Sequence, residues 1–535
     1  MTMKQYVIGV DFGSDSVRAV LVDASCGETA SECVCNYPRW AERQFCDSGR
    51  NAFRHHPLDY IESLRNVIHG VLDGHGDIAS SVRGIGVDAT GSTPCLVDRE
   101  LNPLSLRKEY ASNPDAMFVL WKDHSAISEA AEIEASAGDF LNATSGKCSP
   151  EYFWPKLLHV LRHSPELRKD AYSFMDLCTW MPNWLCGNHN PEKVKITQSL
   201  VASKFFEDPI SRRIPPAEWF ASIDDCWLDV VKSIKPAGDN GEEPFGLIDP
   251  ALAEEFGLPS DVVISCGMLD GFCGAVGSGV SETRPVVVLG TSLGYLTVSS
   301  DCSRMVRGAF SQGVGQILPG MFSVEMGLSA YGDIFAWFAG LLNFLPASNG
   351  APRPVGDILR DLGEKAAALP LASDAPIATD FLNGRRSPDI ATKLTASIMG
   401  LRLGTGAPEI YRALVEASCF GIRAIVERMS EYGMSPEELI CIGGISQKSP
   451  YVMQMLADVI GVPLKVSACL QSCALGAAMC AATASGLYPN LAAAQKGMAA
   501  GILAEYVPDA SLSAFYDARY RKYCRIADFS EYFLS

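Results

Sequence analysis

The first part of the chain alternates short apolar runs with turns rich in glycine and serine. Residues 6–23 contain two such runs, which flank a turn with Gly13, Ser14 and Ser16. An unbroken apolar run is typical of a central strand that is buried on both faces. The pattern predicts strand, turn and strand. A turn of this kind offers N–H groups and hydroxyls to an anion, although a plain β-hairpin has the same pattern.

The same pattern recurs twice along the chain. Residues 83–98 predict an apolar strand, an aspartate, small polar residues and a strand that returns. Residues 285–299 again predict strand, glycine turn and strand, and their likeness to residues 6–23 indicates an internal repeat. Residues 57–74 carry apolar side chains at helical spacing and predict an amphipathic helix. The first hundred residues therefore predict one mixed sheet flanked by helices.

The last third of the sequence favours helices. Residues 408–429 keep apolar side chains at near-helical spacing, and residues 439–461 predict a strand, a double glycine and a helix capped by Ser449. Residues 474–486 have almost only small side chains, which permit a helix to pack closely. Residues 346–376 hold several prolines and glycines and are predicted to be a loop or an insertion.

The length of the chain predicts more than one domain, because 535 residues exceed what one hydrophobic core usually supports. Residues 262–266 predict a buried strand that opens the second domain, so we expect domains at 1–260 and 261–535. Each domain carries a turn suited to phosphate, which implies a cleft with a nucleotide between them. The region from 110 to 250 is rich in tryptophan and proline. Its residues Trp121 and Lys204 predict a surface that faces a sugar, although each alone is also common in ordinary structure.

Composition narrows the possible functions. With 62 acidic and 44 basic residues the net charge is -18, which argues against a nucleic-acid-binding protein. Eighteen cysteines are scattered without a Cys-x-x-Cys pair, so neither a disulfide framework nor a zinc site is predicted from them. The N terminus lacks the apolar stretch of a signal peptide, and no apolar run approaches the length of a membrane span. We therefore expect a cytoplasmic protein with no membrane contact.

Several familiar catalytic motifs are missing from the sequence. It contains no G-x-x-x-x-G-K-[ST], G-x-G-x-x-G, H-E-x-x-H or H-R-D pattern. P-loop enzymes, dinucleotide oxidoreductases, zinc proteases and protein kinases are therefore disfavoured. What remains is three separated glycine turns and one carboxylate, Asp270, directly after a buried strand. Because aspartate is also a preferred helix N-cap, a purely structural role for Asp270 is the alternative.

Transfer of a phosphoryl group to an alcohol fits this set of residues. The reaction needs aligned oxygens, donors for the phosphates, Mg²⁺ and a carboxylate that takes the hydroxyl proton. Asp270 is the candidate base, and Asp11 is the candidate ligand of Mg²⁺ through water. The residues predicted to hold ATP are Gly13, Ser14, Ser16 and Arg18 in the first domain, Gly290, Thr291 and Ser292 in the second, and Gly443 and Gly444 under the adenosine.

These motifs resemble, in order, those of the FGGY carbohydrate kinases, which belong to the superfamily of actin, hexokinase and heat-shock chaperone ATPases. Within that family the chain is most similar to the ribulokinases. The resemblance implies an α/β fold of two actin- and hexokinase-like (ribonuclease H-like) domains with a cleft for nucleotide and sugar, and it suggests a homodimer. The stretches that carry it are 9–18, 86–94, 113–124, 151–154, 332–337 and 383–389.

The resemblance also implies roles for individual residues. It makes Asp270 the base and places Asp11 near the metal. Glu325 without the resemblance is equally well interpreted as an edge-strand residue. The residues implied around the ketose are Gly91, Lys204 and Glu325, and those implied near the nucleotide are Gly400, Gly444 and Lys448.

The sequence departs from the ribulokinase pattern at two places. Gly271 and Phe272 follow Asp270 where the pattern has alanine and histidine, and residues 326–328 read Met-Gly-Leu in place of Ala-Gly-Gln. Both changes are adjacent in sequence to expected sugar-site residues and remove polar groups, which bears on the identity of the pentulose.

The resulting expectation is phosphorylation of the terminal hydroxyl of L-ribulose, or of a close ketopentose, by ATP and Mg²⁺. The product is the 5-phosphate, as in the breakdown of L-arabinose. The alternatives are another sugar kinase of this family, acting on D-ribulose, xylulose or a polyol, and an actin-like or chaperone-like ATPase.

Overall fold

A computed structural model describes residues 4–136, 138–236 and 238–534. Its strands are β1 Tyr6–Phe12, β2 Ser16–Asp23, β3 Thr29–Asn36, β4 Cys46–Asp47, β5 Ala52–His55, β6 Val82–Ala89, β7 Pro94–Val97, β8 Phe118–Val119, β9 Ser173–Asp176, β10 Pro244–Leu247, β11 Val263–Ser265, β12 Met268–Leu269, β13 Val286–Leu289, β14 Leu293–Ser299, β15 Ser311–Val314, β16 Phe322–Leu328, β17 Ile377–Ala378, β18 Ile398–Met399, β19 Leu439–Ile442, β20 Leu464–Ser467 and β21 Ile502–Tyr506. Its α-helices are α1 Pro38–Ala41, α2 Pro57–Leu72, α3 Gly76–Ala79, α4 Ile127–Ser136, α5 Phe153–His163, α6 Leu177–Leu185, α7 Gln198–Lys204, α8 Ala217–Ile223, α9 Leu228–Ser233, α10 Pro250–Phe256, α11 Asp270–Gly277, α12 Gly332–Leu342, α13 Phe344–Ser348, α14 Val355–Ala367, α15 Ala407–Glu431, α16 Gly444–Lys448, α17 Pro450–Ile460, α18 Ser472–Ala484, α19 Leu491–Gly497 and α20 Ser513–Leu534.

Two large mixed sheets organise the described residues, and they share one topology. In the first, β3, β2 and β1 are antiparallel neighbours, and β6 and β11 continue from β1 in parallel. In the second, β16, β14 and β13 are antiparallel neighbours, and β19 and β20 continue from β13 in parallel. Both predicted strand–turn–strand units therefore form at equivalent places, which confirms the internal repeat between residues 6–23 and 285–299.

Helix α18 lies in the second half of the sequence but packs against the first sheet. A Cβ atom on Gly9 or Gly86 would lie 1.8 or 1.9 Å from a backbone carbonyl oxygen of this helix. A Cβ on Gly476, within the helix, would lie 2.0 Å from the carbonyl oxygen of Cys273 in α11. Only glycine permits such close approach of backbones. The small side chains of α18 thus serve close packing, and the boundary at residue 260 remains a prediction because α18 shares the first core.

Residues 94–97 do not form the predicted returning strand. They form β7, which pairs with β9 in a separate small sheet. The reason is that β6 is a central strand, with β1 on one edge and β11 on the other, so a hairpin partner has no free edge. The backbone N–H of Thr93 donates a hydrogen bond of 2.8 Å to Asp176 and directs the chain toward β9.

Two further local predictions differ from the structure in part. Residues 355–367, within the predicted loop, form helix α14, because Ile358, Leu362 and Ala366 are buried at helical spacing while the prolines lie outside it. Ser449 is the N-cap residue of α17, as predicted, but its side chain makes no capping hydrogen bond. Its backbone N–H instead donates to the carbonyl of Ile445 and closes the preceding helix.

No helix among the described residues is both long and apolar enough to cross a lipid bilayer. The eighteen cysteines all lie within the described ranges as free thiols.

Candidate active site

Three carboxylates converge where parallel strands of the first sheet end. Asp11 on β1 lies directly opposite Asp88 on β6. Met268 on β12 is paired with Asp88 from the other side, and Asp270 follows two residues later as the first residue of α11. Because parallel strands end at the same edge, this edge is the usual place for a ligand in an α/β protein. Asp270 is thus not the N-cap of its helix, whose N-cap is Leu269.

Asp11 and Asp270 differ in their charged neighbours and in their burial. The Arg18 guanidinium donates a hydrogen bond of 2.9 Å to Asp11. Burial, followed by repulsion from Asp11, raises the pKa of Asp270 to about 7, although a hydrogen bond from the Gly271 N–H and the charge of Lys204 oppose the shift. A carboxylate whose pKa lies near neutral pH is suited to accept a proton.

Asp88 is the site residue that the sequence reasoning did not assign. It is fully buried, and no donor in the described part of the chain is hydrogen-bonded to either of its carboxylate oxygens. Burial, and then the charges of Asp11 and Asp270, raise its pKa well above the usual range. A buried carboxylate without a partner is costly, so these oxygens fit a cation such as Mg²⁺, which prefers hard oxygen ligands. The parallel between Gly9-Val-Asp11 and Gly86-Val-Asp88 is the sequence signal that marks it.

The first glycine turn lies beside these carboxylates. The Gly13 N–H donates to the Ser16 carbonyl at 3.0 Å and closes the turn between β1 and β2. The indole N–H of Trp121 donates a hydrogen bond of 2.7 Å to the Ser14 hydroxyl. Trp121 is therefore brought to the predicted phosphate turn, and its contact with the sugar stays a prediction.

A buried lysine holds the loops around this turn. The Lys156 ammonium donates hydrogen bonds to the backbone carbonyls of Ser92, Leu120 and Trp121, at 2.6, 2.8 and 3.3 Å. Burial lowers the pKa of Lys156 to about 7. The lysine fixes the segment that follows Gly91 and the one that carries Trp121. Its role is to position loops, which its sequence context did not indicate.

The residues predicted around the ketose come together across the two sheets. Lys204 ends helix α7, and Glu325 lies on β16, an inner strand between β14 and β15 rather than an edge strand. Burial raises the pKa of Glu325, and Lys204 acts against this shift as it does for Asp270. A Cβ on Gly91 would lie 2.1 Å from the Leu269 side chain, directly before Asp270. The ammonium of Lys204 and the carboxylates of Asp270 and Glu325 thus lie in one small region.

A cavity of about 880 Å³ adjoins this region between the two halves of the chain. Tyr152 lines it, and the Lys204 ammonium lies 5.2 Å from the centre of the Tyr152 ring. Glu151, hydrogen-bonded to His124 at 2.9 Å, also lines it, as does Arg386, which lies over the Phe310 ring. The stretches 113–124, 151–154 and 383–389, far apart in sequence, therefore meet here or close by.

The turns of the second domain lie at the equivalent edge of the second sheet. Gly290 follows β13, and Gly443 follows its parallel neighbour β19. Gly443 has φ +94°, and a Cβ there would lie 2.6 Å from the Leu289 carbonyl oxygen, so both its conformation and its contact require glycine. Gly444 and Lys448 begin and end the short helix α16, and the carbonyl of Thr291 accepts the Tyr331 N–H at 2.7 Å.

Gly400 lies in a different place. It lines a cavity of about 340 Å³ with Arg402 and Arg412, and neither Gly444 nor Lys448 takes part in that lining. Its placement near the nucleotide stays a prediction.

The two departures from the ribulokinase pattern mostly face away from the site. Phe272 packs in the core of the first domain, and Met326 and Leu328 pack in the core of the second. Because side chains alternate along a strand, Met326 and Leu328 point to the face opposite Glu325. At Gly271 an added Cβ would meet nothing within 4 Å. The lost polar groups are therefore replaced by core side chains.

Comparison with known proteins agrees with this geometry. Residues 6–277 match the N-terminal domain, and residues 286–485 the C-terminal domain, of the FGGY family of carbohydrate kinases. The chain belongs to the FGGY family. It is 36% identical to a ribulokinase of Vibrio parahaemolyticus over 548 residues, with 99% of this chain and 97% of that protein covered. A ribulokinase of Halalkalibacterium halodurans is 32% identical over 548 residues, with 99% and 95% covered.

Solved structures of the FGGY fold superpose on the whole chain. A xylulose kinase from Rhodospirillum rubrum matches with a TM-score of 0.81 at 19% identity, over 99% of this chain and 100% of that chain. A gluconate kinase from Lactobacillus acidophilus matches with a TM-score of 0.80 at 18% identity, over 98% of each chain. The predicted fold class is confirmed. FGGY membership makes the protein a carbohydrate kinase that uses ATP, and decides against the actin-like or chaperone-like ATPase.

Proposed function

We propose that this FGGY kinase transfers the terminal phosphoryl group of ATP to the terminal hydroxyl of L-ribulose, or of a close ketopentose. The observation that carries the proposal is Asp270, at a strand edge between the two sheets, with its pKa raised to about 7. The names of the full-length relatives, which are ribulokinases, support a ketopentose as the acceptor.

In the proposed reaction each residue has a limited task. Lys204 and Glu325 orient the sugar by hydrogen bonds to its hydroxyls. Asp270 takes the proton of the terminal hydroxyl as that oxygen bonds to the γ-phosphorus and the bond to the ADP oxygen breaks. The glycine turns after β1 and β13 donate N–H groups to the phosphates. Asp11 and Asp88 would hold Mg²⁺, which supplies positive charge against the phosphate oxygens when bound.

The identity of the sugar is tested with a panel of acceptors. ADP release is measured with L-ribulose, D-ribulose, xylulose and a polyol at matched concentrations, with a no-sugar control. We expect kcat/KM to be highest for L-ribulose. If another sugar gives the highest kcat/KM, that sugar is the substrate in place of L-ribulose. ADP release that no sugar increases would contradict the proposal.

The pH dependence of the reaction follows from Asp270. Its pKa is raised to about 7, and a base acts in its deprotonated form, so kcat/KM should rise as the pH increases through about 7. The measurement is the initial rate at low sugar concentration, from about pH 5.5 to about pH 8.5. A profile that stays flat over this range would contradict a base with this pKa.

A further inference from the structure

Two histidines and a glutamate converge where helix α4 packs against helix α5, outside the cleft. His159 and His163 are one turn apart on α5, and Glu129 belongs to the first turn of α4. One potential ligand atom of each residue lies within 4.8 Å of the corresponding atoms of the other two. Histidines four residues apart on a helix lie on one face and can bind the same ion.

The hydrogen bonds around His163 leave a nitrogen available to a cation. Its Nδ1 lies 2.9 Å from the backbone carbonyl oxygen of His159. A carbonyl oxygen only accepts, so Nδ1 carries the proton and Nε2 keeps a free lone pair. Metal-binding histidines commonly have their second nitrogen fixed in this way.

The contact between His159 and Glu129 already has the spacing of two metal ligands. The distance from His159 Nδ1 to Glu129 Oε2 is 3.2 Å. Two ligands about 2.1 Å from a tetrahedral zinc ion lie about 3.4 Å apart. A cation can therefore take the place of the proton that these two atoms share. The imidazole rings of His159 and His163 are stacked with centroids 4.0 Å apart, so the exposed His163 ring has to turn before its lone pair points at the same ion.

The groups around Glu129 suit its carboxylate to bind a cation. The side chain of Glu129 is only 4% exposed, and the Ser128 hydroxyl donates a hydrogen bond of 2.9 Å to it. Burial is the largest single influence and opposes ionisation of Glu129, but the hydrogen bonds with His159, with its own backbone and with Ser128 together outweigh it and lower the pKa of Glu129 to about 2. The nearby cation Arg162 is bound to Glu132 and Asp224, which leaves Glu129 to the histidines.

We propose that Glu129, His159 and His163 form a site for a transition-metal cation, with Zn²⁺ as the ion that fits best and water as the fourth ligand. Two imidazoles and one carboxylate suit Zn²⁺, whereas the all-oxygen pair Asp11 and Asp88 suits Mg²⁺. The ion would fasten α4 to α5, the helix that also carries Lys156. This site is independent of the sugar that the enzyme phosphorylates.

The test compares the chelator-treated full-length protein with its His163→Gln variant. His163 is exposed, so the variant keeps the fold, which circular dichroism checks. The matched control is His69→Gln, because His69 also lies near one glutamate, Glu255 at 3.9 Å, on a different helix. Zn²⁺ binding is measured by calorimetry, and Co²⁺ binding by its visible absorption.

We expect the original protein and the His69→Gln variant to bind Zn²⁺ with equal affinity at this site, and His163→Gln to bind at least about tenfold more weakly. Glu129→Gln should weaken binding in the same way. The Co²⁺ spectrum should show nitrogen and oxygen ligands without thiolate charge-transfer bands, which separates this site from the cysteines. Equal Zn²⁺ binding by all variants, or a Co²⁺ spectrum of thiolate type that persists in His163→Gln, would overturn the proposal.

Discussion

Replacement of Asp270 by asparagine should lower kcat by a factor of about 10² to 10⁴, because the amide cannot accept the proton of the sugar hydroxyl. Asparagine has nearly the same shape and keeps the acceptor for the Gly271 N–H, so ATP affinity should be unchanged. The measurements are coupled ADP release at saturating sugar and calorimetric ATP binding. The rise of kcat/KM through about pH 7 should also disappear in this variant.

The matched control for this experiment is Asp249→Asn. Asp249 also stands at a helix start, but it is the N-cap of α10 and accepts hydrogen bonds from the N–H groups of Ala251 and Leu252. Asparagine caps about as well as aspartate, so turnover of this variant should not change. Equal turnover of Asp270→Asn and Asp249→Asn would mean that Asp270 is a structural residue.

Replacement of Asp88 by asparagine should act in opposite directions on catalysis and on stability. The Mg²⁺ concentration for half-maximal activity should rise at least about tenfold, because one buried anionic ligand is lost. Without Mg²⁺ the free energy of unfolding at neutral pH should rise by about 1–3 kcal/mol, because a buried carboxylate without a partner becomes neutral. Mg²⁺ titration of activity and urea unfolding measure the two effects.

The pKa of Asp88 determines how the stability of the protein changes with pH. Folding raises the pKa of Asp88 above its ordinary value of 3.8, so its protonated form stabilises the fold at low pH and this contribution is lost as the pH rises. In the Asp88→Asn variant this decrease in stability with rising pH should be absent. The control is Asp176→Asn, a buried aspartate that accepts hydrogen bonds from Thr93 and Cys178. It should leave the Mg²⁺ requirement unchanged, and an unchanged Mg²⁺ requirement in Asp88→Asn would exclude Asp88 from the metal site.

Much of the candidate site in the first domain could be predicted from the sequence, because the patterns that mark its residues are local. The turn after β1 and the helix that begins at Asp270 each follow directly from a buried strand and its glycines. The pairing of Lys204 with Glu325 came instead from the family resemblance, since no local pattern links a helix end with a strand in the other sheet. Their meeting depends on how the two sheets face each other.

Other features could not be predicted because they depend on pairing over long distances. Asp88 shares the Gly-Val-Asp pattern with Asp11, but its role becomes evident only when β6 lies between β1 and β12, which places its carboxylate beside Asp11. The departure at Leu328 lies near Glu325 in the sequence, but strand alternation buries that side chain on the opposite face. Gly400 near the nucleotide rests on the family resemblance alone and stays a prediction.

The course of helix α18 constrains how the protein can be synthesised. Its backbone fills the space over Gly9 and Gly86, so the opening sheet lacks one covering layer until residue 484 has left the ribosome. A truncated chain that ends near residue 260 would expose that bare, apolar face to solvent and should aggregate. The two halves of this kinase are thus interlocked through α18.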